Sequence, residues 1–168
     1  MPRAVILAGP NGAGKSTFAP ELLSQGHRID TFLNTDLTAA GLSPLAPGPA
    51  GVEAGRLMIQ RLDHVVSQGE DFAIETTLSG TWLVKRIPRR RELGYRVELI
   101  FLWLSDPDIA IERVRRRVVQ GGHNVPEADV RRRFARGWRL FESTYRDLVD
   151  AWVVYDVSGS TPVRIEQE

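Results

Sequence analysis

The chain has no cysteine, almost no lysine and no long apolar run. Without cysteine there is no disulfide, no thiolate nucleophile and no cysteine-held zinc, which suits a cytoplasmic protein. The longest uninterrupted apolar stretch, Leu99-Ile100-Phe101-Leu102-Trp103-Leu104, is far too short to cross a bilayer, so no membrane is expected as a partner. Arg3 and the apolar residues behind it resemble the start of an export signal, but the run ends at once in a glycine-rich loop. Lysine is confined to Lys15 and Lys85, and fifteen arginines crowd between Arg86 and Arg146. The net charge is only +1, so the basic excess is local. Arginine never deprotonates and grips phosphate through two parallel hydrogen bonds.

What is present is a complete phosphate-binding loop, Gly9-Pro10-Asn11-Gly12-Ala13-Gly14-Lys15-Ser16, followed by Thr17. Ala4-Val5-Ile6-Leu7-Ala8 before it has the length and apolarity of a buried strand, and Phe18, Leu22 and Leu23 after it fall at helical spacing. In that context the glycines let backbone N–H groups converge on phosphate oxygens at the positive end of a helix. Lys15 can then reach the β- and γ-phosphates, and the Ser16 hydroxyl can hold Mg²⁺. A bound nucleoside triphosphate is expected.

At 168 residues, with 42% apolar and 26% charged residues, the chain is expected to form a single domain over residues 1–168. Strand-like and helix-like patterns alternate, which argues for an α/β fold with a largely parallel sheet. Strands are expected at residues 3–8, 29–33, 71–75, 95–104 and 151–157. Helices are expected at 15–25, 51–68, 80–93, 106–120, 127–136 and 138–149. Leu42–Pro49 is a proline- and glycine-rich loop. Asp106 followed by Pro107 reads as a helix cap and first residue, with Ile111, Val114 and Val118 as the buried stripe and Arg113 and Arg117 on another face.

Three constellations could carry chemistry. Asp36, in Leu33-Asn34-Thr35-Asp36, stands at the end of a predicted strand, where ligands of open parallel sheets bind. It can serve as base toward a substrate hydroxyl, or else as N-cap for Leu37–Ala40. Glu75, in Ile74-Glu75-Thr76-Thr77, can hold Mg²⁺ through water or accept hydrogen bonds from substrate; alternatively Glu75 and the threonines cap a helix from Gly80. The third is an arginine-bearing lid over residues 117–137. Gln120-Gly121-Gly122-His123-Asn124-Val125-Pro126 links Arg113–Arg117 to Arg131–Arg136, whose arginines can neutralise charge on a transferred phosphoryl group. Most of these arginines are read as ordinary surface. No aromatic interleaving characteristic of single-strand stacking appears among them, so nucleic acid is not the expected partner. His123 has no neighbouring histidine or cysteine to make a metal site.

Taken together, Gly9–Ser16, Asn34-Thr35-Asp36, Ile74-Glu75-Thr76-Thr77 and Arg117–Pro126 with Arg133 resemble, in their order, the zeta-toxin-like P-loop kinases. The resemblance covers residues 3–157. It implies a three-layer nucleotide-kinase-like fold with a five-stranded parallel sheet in the order 2-3-1-4-5. It also implies ATP and Mg²⁺ as cofactors, with Lys15 and Ser16 on ATP–Mg²⁺ and Asp36 as base. Glu75 and Thr76 would hold substrate, and Arg117 and Arg133 would contact the transferring phosphate. Zeta toxins phosphorylate UDP-N-acetylglucosamine, and an antitoxin covers their ATP site. This chain is more compact and lacks room for the insertions that surround a bulky nucleotide sugar. The expectation is an ATP-dependent kinase acting on a small-molecule hydroxyl. Kinases of nucleotides, antibiotics or polynucleotide ends and a nucleotide-dependent regulatory module are the alternatives. No Asn-Lys-x-Asp guanine reader occurs, and adenine selection rests on the resemblance.

Overall fold

The computed structural model describes residues 1–21, 29–45 and 49–168. Its elements in chain order are β1 (Arg3–Ala8), α1 (Lys15–Glu21), β2 (Phe32–Leu33), α2 (Thr35–Leu42), α3 (Gly51–Ser67), β3 (Phe72–Thr76), α4 (Arg86–Glu92), β4 (Arg96–Trp103), α5 (Pro107–Val119), α6 (Glu127–Leu140), a π-helical turn (Phe141–Tyr145), β5 (Ala151–Asp156) and β6 (Val163–Gln167). Leu22, Leu23 and part of the Leu42–Pro49 loop lie outside the described residues.

The sheet runs β2-β3-β1-β4-β5-β6. Its first five strands are parallel and keep the expected order. The sixth corrects the five-stranded expectation: β6 pairs antiparallel with β5, making the sheet mixed. All five of its residues are exposed, so main-chain pairing alone makes it a strand and no buried apolar face announced it.

Each central strand buries both faces, as a parallel strand covered by helices must. Ile6, Ile74, Leu99, Phe101 and Val154 face α3, α4 and the π-helical turn. Val5, Leu7, Ala73, Ile100 and Leu102 face α1 and α5. The first layer centres on an aromatic knot. Phe141 lies 5.1 Å from Phe101, 5.3 Å from Trp138 and 5.4 Å from Trp152, ring centre to ring centre. The π-helical turn adds a residue to the helical repeat. It brings Tyr145 inward, where its hydroxyl donates to the Gly80 carbonyl at 2.6 Å and burial raises its pKa to about 12.

Several boundaries moved for identifiable reasons. The helix expected over 80–93 is confined to Arg86–Glu92, because Pro88 lacks an N–H for the carbonyl four residues back and its ring would strike it. Residues 127–140 run as one helix through Gly137, so the expected break there is absent. Val118 is exposed, and Ala110 takes its place beside Ile111 and Val114 in the buried stripe of α5. Asp106 caps α5 as expected, accepting from the Asp108 N–H at 2.7 Å.

Replacing Phe141, fully buried, should test the knot. Phe141→Ala is expected to cost about 3–5 kcal/mol, read as a lowered urea midpoint with unchanged slope.

Candidate functional site

Register decides what meets at the carboxyl edge of the sheet. Leu33 pairs with Ile74, and Ala8 pairs with Thr76. Asn34, Glu75 and the start of the phosphate loop therefore stand side by side. The loop is close-packed from below: a Cβ on Gly9 would come within 2.5 Å of the Leu102 carbonyl, and one on Gly12 within 2.5 Å of the Ala110 carbonyl. Both also hold positive φ, +145° and +79°, so side chains are excluded there twice over.

Lys15 is buried beneath this loop and donates to the Gly9 and Pro10 carbonyls at 2.9 and 3.0 Å. Burial pushes its pKa below the ordinary lysine value, while the nearby carboxylates of Glu75 and Asp36 oppose that shift. Glu75 is the hub. Its Oε2 accepts from Ser16 Oγ at 2.8 Å and from Asn34 Nδ2 at 2.6 Å, and its Oε1 lies 3.7 Å from Lys15 Nζ. It caps no helix. Thr76 closes a local turn instead, its hydroxyl accepting from the Leu78 N–H.

Asn34 was not singled out from sequence. Its Oδ1 caps α2 by accepting from the Asp36 and Leu37 N–H groups, while its amide reaches Glu75. The N-cap reading of Asp36 is therefore corrected: Asn34 is the cap, and Asp36 is the second residue of the helix. There a carboxylate is favoured by the helix dipole without being consumed by a bond. Asp36 is exposed, and its side chain makes no hydrogen bond among the described residues. An asparagine at a strand end just ahead of a helix was the available signal.

Three cavities adjoin in a row. The first, about 630 Å³, includes Phe18, Leu102, Arg113, Tyr155 and Val157. The second, about 420 Å³, spans Gly12, Gly14, Lys15, Ser16 and Thr17 with Arg116 and Arg117. The third, about 230 Å³, is lined by Thr76, Thr77, Trp82 and Arg133 among others. The first two share Gly14, Thr17 and Arg113. The second and third share Asn11, Lys15, Asp36 and Glu75.

The arginines divide as their partners dictate. Arg131 is held by Glu127 and Asp108, Arg115 by Glu127, and Arg132 by Asp129. Arg113 donates to the Val157 and Ser158 carbonyls at 2.8 and 3.1 Å, tying α5 to the segment after β5. Arg117 donates to the His123 carbonyl, yet its buried Nε has no partner. Gly121 and Gly122 close α5 with bonds back to Val118 and Arg117, a Schellman ending. A Cβ on Gly122 would come within 2.5 Å of Arg117 Cγ, so this glycine lets the loop fold onto the arginine. Arg133 makes no hydrogen bond or ion pair among the described residues and borders the third cavity.

A family model described as an AAA domain matches residues 5–137. The chain belongs to this family. An uncharacterised protein from Haemophilus influenzae is 30% identical over 132 residues, covering 79% of this chain and 92% of the relative. Three solved structures share the fold. A candidate kinase from Chloroflexus aurantiacus superposes with a TM-score of 0.64 at 20% identity, over 81% of this chain and 80% of that one. The PezAT chromosomal toxin–antitoxin system of Streptococcus pneumoniae gives 0.65 at 17% identity, over 99% and 72%. Shikimate kinase from Acinetobacter baumannii gives 0.52 at 16% identity, over 90% and 82%. The architecture is that of a kinase-like P-loop protein. The sequence family is the broad AAA domain and assigns no narrower zeta-toxin membership. Among the described residues no helix is long and apolar enough to cross a membrane.

Asn34→Asp should separate the two duties of Asn34. The aspartate keeps the helix cap but places a second carboxylate against Glu75. The variant is expected to melt below wild type at pH 8, with the gap narrowing as pH falls and one of the two carboxylates takes up a proton.

Proposed function

We propose that the chain is an ATP- and Mg²⁺-dependent kinase that moves the γ-phosphoryl group to a hydroxyl of a small molecule. The observation that carries this reading is the shared wall. Asn11, Lys15, Asp36 and Glu75 border both the phosphate-loop cavity and the smaller cavity beside it. A group transferred between two ligands must pass such a junction.

In this reading the largest cavity takes the nucleobase, against Phe18 and Tyr155, whose rings lie 5.8 Å apart. The phosphate loop takes the triphosphate, and Lys15 exchanges its bonds to the Gly9 and Pro10 carbonyls for phosphate oxygens. The donor set suits Mg²⁺: Ser16 Oγ is a hard oxygen ligand, and Glu75 Oε2 is 2.8 Å from it, placed to hold a metal-bound water. Among the described residues no cluster of three acidic or histidine ligands competes for a metal. Mg²⁺ bound there would neutralise charge on the β- and γ-phosphate oxygens.

Of the two carboxylates, Asp36 is the base. Both Glu75 donors are already in place, whereas Asp36 is uncommitted and at the junction. As the acceptor oxygen bonds to the γ-phosphorus, its proton passes to Asp36 and the bond from γ-phosphorus to the β–γ bridging oxygen breaks, releasing ADP. Arg117, with a buried unpartnered Nε, and Arg133, on the acceptor side, take up the charge on the moving phosphoryl group. The segment from Arg117 through α6 would act as the lid. Glu75 and Thr76 would orient the acceptor. The resemblance to zeta toxins makes UDP-N-acetylglucosamine one acceptor to assay and an antitoxin over the ATP site one partner to seek.

The test pairs two variants, using γ-labelled ATP, Mg²⁺ and a metabolite extract, with labelled products identified by mass spectrometry. Lys15→Ala is expected to weaken ATP binding and lower transfer at least about 100-fold. Asp36→Asn should leave ATP affinity intact and lower turnover roughly 10²–10⁴-fold. Wild-type turnover in Asp36→Asn would remove Asp36 as the base.

A further inference from the structure

The acceptor cavity narrows the class of molecule it can serve, an inference that rests on the kinase reading above. Its volume is about 230 Å³. That is below the roughly 300–1,000 Å³ of pockets that enclose drug-sized ligands, and it suits one sugar ring or a short polyol. A nucleotide or nucleotide sugar is too large, and the larger cavities on the phosphate-loop side are those the donor ATP requires.

The lining asks for hydrogen-bond donors. Asp36 offers both carboxylate oxygens, since its side chain makes no hydrogen bond among the described residues. Glu75 Oε2 is taken by Ser16 and Asn34, but Oε1 has only Lys15 near it, at 3.7 Å and beyond hydrogen-bond reach. Asn11 supplies an independent sign of a missing ligand. It is 6% exposed, it lines this cavity, and its Oδ1 is buried with no partner. A buried acceptor is costly unless something donates to it. Three groups thus converge on the cavity as acceptors, and neighbouring hydroxyls are the chemistry that satisfies them together.

Charge is balanced around the cavity: Lys15 and Arg133 line it together with Asp36 and Glu75. A ligand without net charge leaves that balance undisturbed. Trp82 and Met58 complete the wall with apolar surface on which the C–H face of a sugar or polyol can pack.

We propose that the acceptor is a compact, uncharged molecule with adjacent hydroxyls, a monosaccharide or cyclic or linear polyol, rather than a nucleotide or nucleotide sugar. The reacting hydroxyl donates to Asp36 while its neighbours donate to Glu75 Oε1 and Asn11 Oδ1.

The experiment uses the full chain with γ-labelled ATP and Mg²⁺ against two sets of acceptors. One set holds aldohexoses, pentitols and inositols; the other holds UDP-N-acetylglucosamine, nucleoside monophosphates and sugar acids. A metabolite extract runs beside them, and Lys15→Ala supplies the background. Label entering a neutral sugar or polyol, in the panel or in the extract, is the expected result. Label entering only nucleotides, nucleotide sugars or sugar acids would overturn the acceptor class while leaving the kinase reading in place. No labelled product above the Lys15→Ala background, in panel or extract, would overturn both. Within the expected outcome, Trp82→Leu should raise the acceptor KM about ten-fold against an unchanged ATP KM, since the ring on which the acceptor packs is lost.

Discussion

Everything at the carboxyl edge of the sheet depends on one charged knot, the Glu75 carboxylate with Lys15, Ser16 and Asn34 around it. Glu75 and Asn34 come from the ends of β3 and β2, and Lys15 and Ser16 from the first turn of α1. A carboxylate 13% exposed at a central strand end is expensive unless its oxygens are occupied. Ser16 and Asn34 satisfy one oxygen, and Lys15 balances the charge. The lysine is itself desolvated, so each buried charge makes the other tolerable. Because Asn34 also caps α2, the same knot sets where that helix begins and where Asp36 points its uncommitted carboxylate.

This arrangement explains why the cleft divides into chambers. Lys15 and Glu75 of the knot form the shared wall with Asn11 and Asp36, with the phosphate loop on one side and Thr76, Thr77 and Trp82 on the other. Around that wall the arginines differ in their partners. Those paired with Glu127, Asp108 or Asp129 are exposed surface ion pairs, which contribute little because water screens them. Arg113 braces the cleft on the Val157 and Ser158 carbonyls, Arg117 folds onto the His123 carbonyl across Gly122 with its Nε unpaired, and Arg133 makes no hydrogen bond or ion pair among the described residues.

Much of this was legible in the sequence because the signals are local. The phosphate loop has a required spacing, β1 is apolar from Ala4 and β4 from Leu99, and Asp106-Pro107 is a helix start with a mechanism behind it. The parallel order of the first five strands was carried by resemblance, not by periodicity. What escaped depends on contacts distant in sequence. Asn34 serves Glu75 across 41 positions, and Arg113 serves Val157 across 44. β6 escaped for another reason, since it buries no side chain and only its pairing with β5 defines it. The Asp36 cap assignment failed by two residues because asparagine and aspartate cap helices about equally well, and only geometry shows which one does so.

The central claim is that donor and acceptor chambers meet at Asn11, Lys15, Asp36 and Glu75. A crystal structure with a non-hydrolysable ATP analogue and Mg²⁺ tests it most directly. The account predicts a triphosphate on the Gly9–Ser16 loop, Mg²⁺ on Ser16 Oγ, and a γ-phosphate at the shared wall with Asp36 across from it. A γ-phosphate turned away from that wall, or a nucleotide seated elsewhere, would contradict it.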